Sequence, residues 1–264
     1  MDRVTAVSLK ERKQAGDKIT CLTAYDHPFA KVLDEAGIDV LLIGDSLGMV
    51  LMGHPDTLGV TMEDMLHHVG MVSRAASRAL VVADMPFLSY QVTPQDALRN
   101  AGRFVAEAGA HAVKLEGPAD KFGGAIEAIL RAGIPVMGHI GLTPQSVHQI
   151  GGYKVQGRAP ESRARLKEEA RELERIGCFA LVLECIPADL AAEITQMLSI
   201  PTIGIGAGAA CDGQILVLHD ILGWGSTKFS KTFADVRGLL EQGCKTYIEA
   251  VKSGAFPGKE HAFS

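Results

Sequence analysis

Eight short apolar runs, separated by amphipathic stretches, constrain the fold of this chain more than any other feature of its sequence. The runs are rich in leucine and β-branched residues and are continuous rather than alternating, which is typical of parallel strands covered on both faces. They are ITCLTA (19–24), DVLLIG (39–44), LVVADM (80–85), HAVKLE (111–116), IPVMGHI (134–140), FALVLE (179–184), PTIGIG (201–206) and QILVLH (214–219).

The stretches between most of these runs carry helix signals. Thr93 and Pro94 form an N-cap with proline at the first helical position, and Thr61 to Asp64 resembles a capping box. Eight strands that alternate with helices within 264 residues predict an α/β fold, a (β/α)₈ TIM barrel, as one domain over residues 1–264. Only about seven residues separate the last two runs, too few for a crossover helix, so a doubly wound open sheet is the competing fold.

Charge and hydropathy argue against several classes of function. The net charge of −5 is unlike that of a protein that binds a nucleic-acid backbone, which needs a basic face. No apolar run approaches the ~20 residues that span a bilayer, and the first residues, MDRVTAVSLKERK, lack the apolar segment of a secretory signal. We therefore expect a cytoplasmic protein with no nucleic-acid or membrane partner. The five cysteines show no zinc-like spacing.

Ionisable residues are nearly absent from the interiors of the apolar runs and accumulate at their C-terminal ends, where barrel enzymes carry their chemistry. Each residue alone has an ordinary structural explanation, such as capping the next turn or bonding within the core. Together they imply a metal, a substrate or mutual pairing, because burying several unpartnered charges is costly. The residues are Asp45, Ser46, Asp84, Lys114, Glu116, His139 and Glu184.

The types of these residues indicate a magnesium site. Asp45 and Asp84 follow neighbouring strands, with Glu116 on the next one, and a loose set of carboxylates is typical of Mg²⁺ rather than zinc. Lys114 lies two residues before Glu116 and so points to the same face of its strand. Glu184 ends a strand roughly opposite Asp45 in an eight-strand ring, where a base can face a metal-bound substrate.

The longest stretch without a strand pattern, GLTPQSVHQIGGYKVQGRAP (141–160), is rich in Gly, Gln and Ser. It is expected to be a long loop with a functional role, since structureless loops of this length are uncommon in compact domains.

Several unusual strings occur together and in order over residues 23–263. They are TAYDHPFA, LLIGDSLGM, ADMPF, VKLEG, GHIGLTPQS, GGYKVQGR, LVLECIP, IPTIGIGAG, CDGQILVLHD and FPGKEHAF. With these strings the chain resembles the ketopantoate hydroxymethyltransferase family. The resemblance implies a barrel of the phosphoenolpyruvate mutase/isocitrate lyase type that converts 3-methyl-2-oxobutanoate and 5,10-methylenetetrahydrofolate to 2-dehydropantoate and tetrahydrofolate in pantothenate synthesis. It also implies a homodecamer.

The resemblance assigns a role to most of the strand-end residues. The family's metal ligands correspond to Asp45, Asp84 and Glu116, its keto-acid contacts to Asp45, Ser46, Asp84 and Lys114, and its proton acceptor to Glu184. His139 is a candidate supporting residue. A carboxylate alone is too weak a base for the β-carbon of the keto acid by roughly 16 kcal/mol. The enolate must therefore be stabilised, which is the role expected of Mg²⁺.

Two other functions compete with this one. A Mg²⁺-dependent 2-oxo-acid lyase of the same superfamily would share the enolate chemistry, but the cysteine-bearing loop of the KKCGH type found in isocitrate lyases has no equivalent in this sequence. A non-catalytic barrel that only binds a metabolite would be expected to lack some of the strand-end carboxylates, and all of them are present.

Overall fold

Eight parallel strands form a closed barrel in which each strand pairs with the next along the chain and the last pairs with the first. The computed structural model describes residues 3–225 and 227–263. The predicted barrel is confirmed, and the competing open sheet is wrong. The strands are β1 (Ile19–Thr23), β2 (Val40–Ile43), β3 (Leu80–Asp84), β4 (Ala112–Lys114), β5 (Val136–Gly141), β6 (Ala180–Glu184), β7 (Thr202–Ile205) and β8 (Gly213–Leu216).

Helices occupy most of the connections between strands. No helix in the described part of the chain is long and apolar enough to cross a membrane. Short 3₁₀ turns span Pro144–Ser146 and Lys259–His261. The α-helices are α1 (Ala6–Ala15), α2 (His27–Glu35), α3 (Leu47–Val50), α4 (Met62–Ala75), α5 (Pro94–Ala106), α6 (Ala119–Arg131), α7 (Val147–Ile150), α8 (Pro160–Ile176), α9 (Ala188–Met197), α10 (Leu218–Ile221) and α11 (Val236–Ser253).

The connection between β7 and β8, residues 206–212, is described throughout and contains no helix. The ring nevertheless closes because β8 pairs with both β7 and β1, with Gly213 as the partner of Ile203 on one side and of Ile19 on the other. The short spacing that made an open sheet plausible is therefore accommodated within a closed barrel.

The predicted helix caps are present. The side chain of Thr61 accepts from the Asp64 N–H at 3.2 Å, and the Asp64 carboxylate accepts from the Thr61 N–H at 3.0 Å. The side chain of Thr93 accepts from the Asp96 N–H at 3.1 Å ahead of Pro94. The segment 141–160 is less irregular than predicted, since residues 144–150 form a 3₁₀ turn and α7 before the chain runs without regular structure to α8.

The chain divides into two compact units, the first ending at Val217 and the second beginning at Leu218. The first contains the whole barrel with α1 to α9, and the second contains α10 and α11. In the second unit, α11 begins with a hydrogen bond from the Gly238 N–H to the Asp235 carboxylate. This division describes where contacts within the chain are dense and does not by itself define domains. A single domain over residues 1–264 therefore stays a prediction.

The barrel interior is filled by apolar side chains from all eight strands, and α1 contributes Leu9 to the same cluster. Such layered filling makes the barrel a packed core that holds the strand ends rigidly. The polar side chains of the predicted site therefore project from the ends of elements that have little freedom to move.

One strand end depends on a close approach between two backbones. β5 ends at Gly141, whose φ of +100° is favourable only for glycine. The next N–H, of Leu142, donates to the Glu184 carbonyl at 2.9 Å. A Cβ at position 141 would overlap that carbonyl oxygen. Gly141 thus allows the backbone of Glu184 to lie directly against the end of β5.

We predict that Gly141→Ala lowers the free energy of unfolding by at least about 3 kcal/mol, because it combines an unfavourable φ with a backbone overlap. Gly133→Ala is the matched control, since Gly133 also has a positive φ (+81°) but open space around it. It is expected to lose only about 1–2 kcal/mol. Chemical denaturation followed by circular dichroism measures both variants. Equal losses of unfolding free energy in the two variants would show that the close approach of the Glu184 backbone does not determine which residues position 141 tolerates.

Candidate active site

All the predicted site residues lie at or near the carboxyl ends of the strands. Asp84, Lys114 and Glu184 are the last residues of β3, β4 and β6. Asp45 and Ser46 follow β2, Glu116 follows β4, and His139 lies within β5. Parallel strands end at one rim of a barrel, so the sequence order of these residues becomes a single cluster in space.

Asp84 and Lys114 form the closest ion pair of the cluster. They are register partners on neighbouring strands, both are buried, and the Lys114 Nζ donates to Asp84 Oδ1 at 2.7 Å. Burial acts to lower the pKa of Lys114, but the carboxylates of Asp84 and Glu116 outweigh it and raise that pKa. Lys114 is therefore a fixed positive charge at the centre of the cluster.

His139 lies between two carboxylates. Its Nδ1 is 3.6 Å from Glu116 Oε2 and its Nε2 is 3.1 Å from Glu184 Oε2. Neither ring nitrogen makes a well-aligned hydrogen bond, although both lie close to a carboxylate oxygen. Burial and Lys114 act to lower the pKa of His139, but the two carboxylates raise it to about 9. The imidazole thus links the two carboxylates as a cation.

The pKa of Asp45 is strongly perturbed by its surroundings. Burial, with the negative charges of Asp84 and Glu116, raises the pKa of Asp45 to about 8. Lys114 and a hydrogen bond from Gln145 act in the opposite direction without cancelling this effect. Asp45 therefore retains a proton at neutral pH unless another positive charge comes close to it.

Gln145 is a central residue that the sequence did not single out. Its side-chain Nε2 donates to Asp45 Oδ2 and to the Met85 carbonyl, both at 2.9 Å. Its backbone N–H donates to Glu116 Oε1 at 2.6 Å. Its Oε1 accepts from the Tyr90 hydroxyl and from Gln91 Nε2, both at 2.9 Å.

This set of bonds satisfies every donor and acceptor of the Gln145 carboxamide and fixes which side of it carries the N–H groups. One buried residue therefore sets the orientation of the carboxylates at two strand ends. The only sequence signal for it was its place in the segment 141–160, which was expected to be functional, since glutamine itself has no motif.

Ser46 has a partner of its own. Its Oγ lies 2.9 Å from the hydroxyl of Tyr25, a buried residue that follows β1. The serine hydroxyl is thereby held beside Asp45 at the same rim. Tyr25 is a second site residue that the sequence did not indicate, because a buried tyrosine after a strand is most often a core residue.

The charges of the cluster do not balance. Four carboxylates (Asp45, Asp84, Glu116 and Glu184) face two cationic groups (Lys114 and His139), which leaves an excess of two negative charges when all are ionised. Within the described residues, no three His, Cys, Asp or Glu side chains converge closely enough to hold a metal ion between them. A metal at this rim would thus need water or substrate oxygens to complete its coordination.

Comparison with known sequences identifies similar proteins over the whole chain. A model of the family described as ketopantoate hydroxymethyltransferase matches residues 3–259. A 3-methyl-2-oxobutanoate hydroxymethyltransferase from Clostridium novyi (strain NT) is 56% identical over 262 residues, covering 98% of this chain and 95% of that protein. One from Thermoanaerobacter sp. (strain X514) is 53% identical over 266 residues, covering 100% of this chain and 97% of that protein.

Solved structures with the same fold are more distant in sequence. Phosphonopyruvate hydrolase superposes with a TM-score of 0.65 at 13% identity, covering 99% of this chain and 92% of that one. 2,3-dimethylmalate lyase, a PEP mutase/isocitrate lyase superfamily member, gives a TM-score of 0.62 at 21% identity. The match covers 98% of this chain and 92% of that one. At these identities the likeness shows the fold, and it agrees with the barrel type implied by the sequence.

We predict that Gln145→Glu destabilises the protein in a manner that depends on pH. At pH 8 the new carboxylate lies buried beside Asp45, and the free energy of unfolding falls by about 3–5 kcal/mol. Burial raises the pKa of such a carboxyl, so lowering the pH to 5 protonates it in the folded protein and reduces the loss.

Gln149→Glu is the control, because Gln149 is an exposed glutamine four residues away. It is expected to change stability by less than about 0.5 kcal/mol at either pH. Thermal denaturation at pH 5 and pH 8 measures both variants. A loss for Gln145→Glu that is the same at both pH values would contradict the close contact with Asp45.

Proposed function

Because the chain belongs to the ketopantoate hydroxymethyltransferase family, we propose that it transfers a hydroxymethyl unit from 5,10-methylenetetrahydrofolate to 3-methyl-2-oxobutanoate. The products are 2-dehydropantoate and tetrahydrofolate. One observation carries the proposal beyond the family match. The family resemblance assigns six residues to the metal, the keto acid and the proton transfer, and His139 is the candidate supporting residue. All seven lie in a single cluster at the strand ends.

A divalent metal fits the charge of this cluster. The excess of two negative charges and the raised pKa of Asp45 indicate that a cation of charge +2 would be stabilised here. Mg²⁺ takes one or two protein carboxylates and completes its shell with water and substrate oxygens, so the lack of a three-ligand cage in the described residues is compatible with it. Asp45, Asp84 and Glu116 are the proposed ligands. A structural neighbour, phosphonopyruvate hydrolase, has been solved with oxalate and Mg²⁺.

When bound, Mg²⁺ supplies a Lewis acid that polarises the keto group of the substrate and offsets the charge of its enolate. The protein residues supply the rest. Lys114, a buried cation, attracts the carboxylate or enolate oxygen of the keto acid. Ser46, held by Tyr25, donates a hydrogen bond to the substrate. Asp45 and Asp84 complete the keto-acid site.

Glu184 is the proposed base that removes the proton from the β-carbon of the keto acid. Its side chain is 17% exposed, more than those of Asp84, Lys114 or Glu116, so it faces the open end of the site. His139, 3.1 Å away, holds the Glu184 carboxylate in place and offsets its charge. The carbanion then forms a C–C bond to the methylene carbon of the folate. Both C–N bonds that join this carbon to the folate break, and water supplies the hydroxyl oxygen. The two released nitrogens of tetrahydrofolate gain one proton each, one from the substrate and one from water.

Two further statements are proposals of the same kind. We propose that the protein acts in the cytoplasm, as its sequence led us to expect, and that it assembles as a homodecamer, which the family resemblance implies. The lyase alternative is not favoured, because the relatives that are more than half identical to this chain are named hydroxymethyltransferases.

The proposal is tested by hydrogen exchange at the β-carbon of 3-methyl-2-oxobutanoate in D₂O, followed by NMR with Mg²⁺ and without folate. We expect the wild type to exchange this hydrogen and Glu184→Gln to be slower by at least about 100-fold, since a positioned base contributes on that order. Glu193→Gln, which changes an exposed carboxylate of α9 paired with Arg163, is the control and should match the wild type.

Product formation is then measured with 5,10-methylenetetrahydrofolate added. If the wild type neither exchanges the hydrogen nor forms 2-dehydropantoate with both substrates and Mg²⁺, the proposed function is wrong. If Glu184→Gln exchanges as fast as the wild type, the base is another residue.

A further inference from the structure

A pocket of about 360 Å³ opens beside the strand-end cluster. We call it the side pocket and define it by Phe87, Gln91, Lys121, Phe122 and His148, which lie in the segments that follow β3, β4 and β5. Its volume is within the range of about 300–1,000 Å³ that is typical of small-molecule sites. None of the roles assigned above uses these five side chains to bind a substrate.

The side pocket is continuous with the cluster. Glu116 and Gln145 line it, and the same two residues contact His139 and Asp45 within the cluster. A molecule in the side pocket would therefore touch Glu116, a proposed metal ligand, and Gln145, which is bonded to Asp45 of the keto-acid site. The proposed reaction requires such a neighbouring space, because its two substrates must meet with one carbon of each in contact.

The walls of the side pocket suit a flat aromatic ring system. Phe87 is 37% exposed although it is a large apolar side chain, and Phe122 packs edge-on against Tyr90 with ring centroids 5.3 Å apart. Tyr90 is itself held in place by its hydroxyl, which lies 2.9 Å from two acceptors, the Glu116 backbone carbonyl and the Gln145 side-chain oxygen. Phe122 is thus a rigid wall, and aromatic walls favour stacking or edge contacts with a planar ligand.

The backbone next to Phe87 is strained. Leu88 has a φ of +65°, a conformation that is unfavourable for a leucine. Strain of this kind costs on the order of 1–3 kcal/mol and is concentrated at ligand sites. The strained backbone at Leu88 is part of a turn that leaves the Phe87 ring at the pocket instead of in the core.

Polar groups lie at the outer edge of the side pocket. His148 and Lys121 are exposed, so they can meet the hydrogen-bonding edges and the carboxylates of a ligand. An aromatic interior with a cation at its mouth matches a ligand that has a planar heterocycle at one end and negative charge at the other. The proposed one-carbon donor is a molecule of this class.

We propose that the side pocket binds the folate donor, with its reduced pterin ring against Phe87 and Phe122 and its carboxylate tail near Lys121. This inference rests on the proposed function and adds the location of the second substrate to it. The pocket volume accommodates the ring system, and the tail extends to solvent.

The test separates the two substrates. Phe87→Ala and Lys121→Gln are assayed for the folate KM, with the methylene form as the varied substrate, and separately for β-carbon exchange of the keto acid without folate. We expect Phe87→Ala to raise the folate KM at least about fivefold, because it removes an aromatic contact. Lys121→Gln should raise it about two- to fivefold, since the lost contact lies at the exposed edge. Exchange of the keto acid should stay within about twofold of the wild type, because neither side chain is placed against the keto acid.

Phe29→Ala and Lys31→Gln are matched controls, because they remove an exposed phenylalanine and an exposed lysine from α2. Both should leave the folate KM and the exchange rate unchanged, and Phe87→Tyr should restore the folate KM by restoring the ring. An unchanged folate KM in both pocket variants would overturn the inference. A loss of β-carbon exchange without folate in the same pocket variants would also overturn the inference, because it would assign the pocket to the keto acid. Failure of the proposed function is seen separately, as absence of exchange and product in the wild type.

Discussion

The structure depends on an excess of negative charge held at one rim of a closed barrel. Four carboxylates and two cations lie together where solvent has little access, and burial of unbalanced charge is unfavourable by several kcal/mol per group. The protein reduces this penalty in two ways. Lys114 and His139 each contact a carboxylate directly, and Gln145 donates hydrogen bonds to two others. The remaining imbalance raises the pKa of Asp45 and makes the rim suited to a divalent cation.

The scaffold makes this arrangement possible because the strands below the rim are fixed by a packed apolar interior. Each charged residue lies within a buried strand, ends one or closely follows one, so little entropy is lost when it is held in place. Two small sequence features adjust the geometry. Gly141 lets the end of β5 lie against the backbone of Glu184, and the turn at residues 144–146 brings Gln145 back over the strand ends.

The sequence predicted the residues whose position follows from strand order. Asp84 and Glu184 could be assigned to one rim because parallel strands end on the same side of a barrel, whatever the details of packing. Gln145 could not be found in this way, because its role comes from a turn that folds back over the barrel. Segment 141–160 was expected to be a long functional loop, but its residues 144–150 are helical instead of irregular, since short helical turns have no clear periodicity. The second compact unit, which begins at Leu218, was not predicted either, because no linker-like composition marks the boundary.

The charge excess at the rim is tested most directly by the number of protons released when Mg²⁺ binds. The pKa of Asp45, about 8, means that most molecules carry a proton there at pH 7 in the absence of metal. Mg²⁺ requires the ionised carboxylate, so its binding should release about one proton per site at pH 7. Isothermal titration calorimetry in two buffers of different ionisation enthalpy measures this number, and Asp45→Asn should abolish most of it. Mg²⁺ binding without proton release, or no binding, would contradict a buried charge excess that a metal balances.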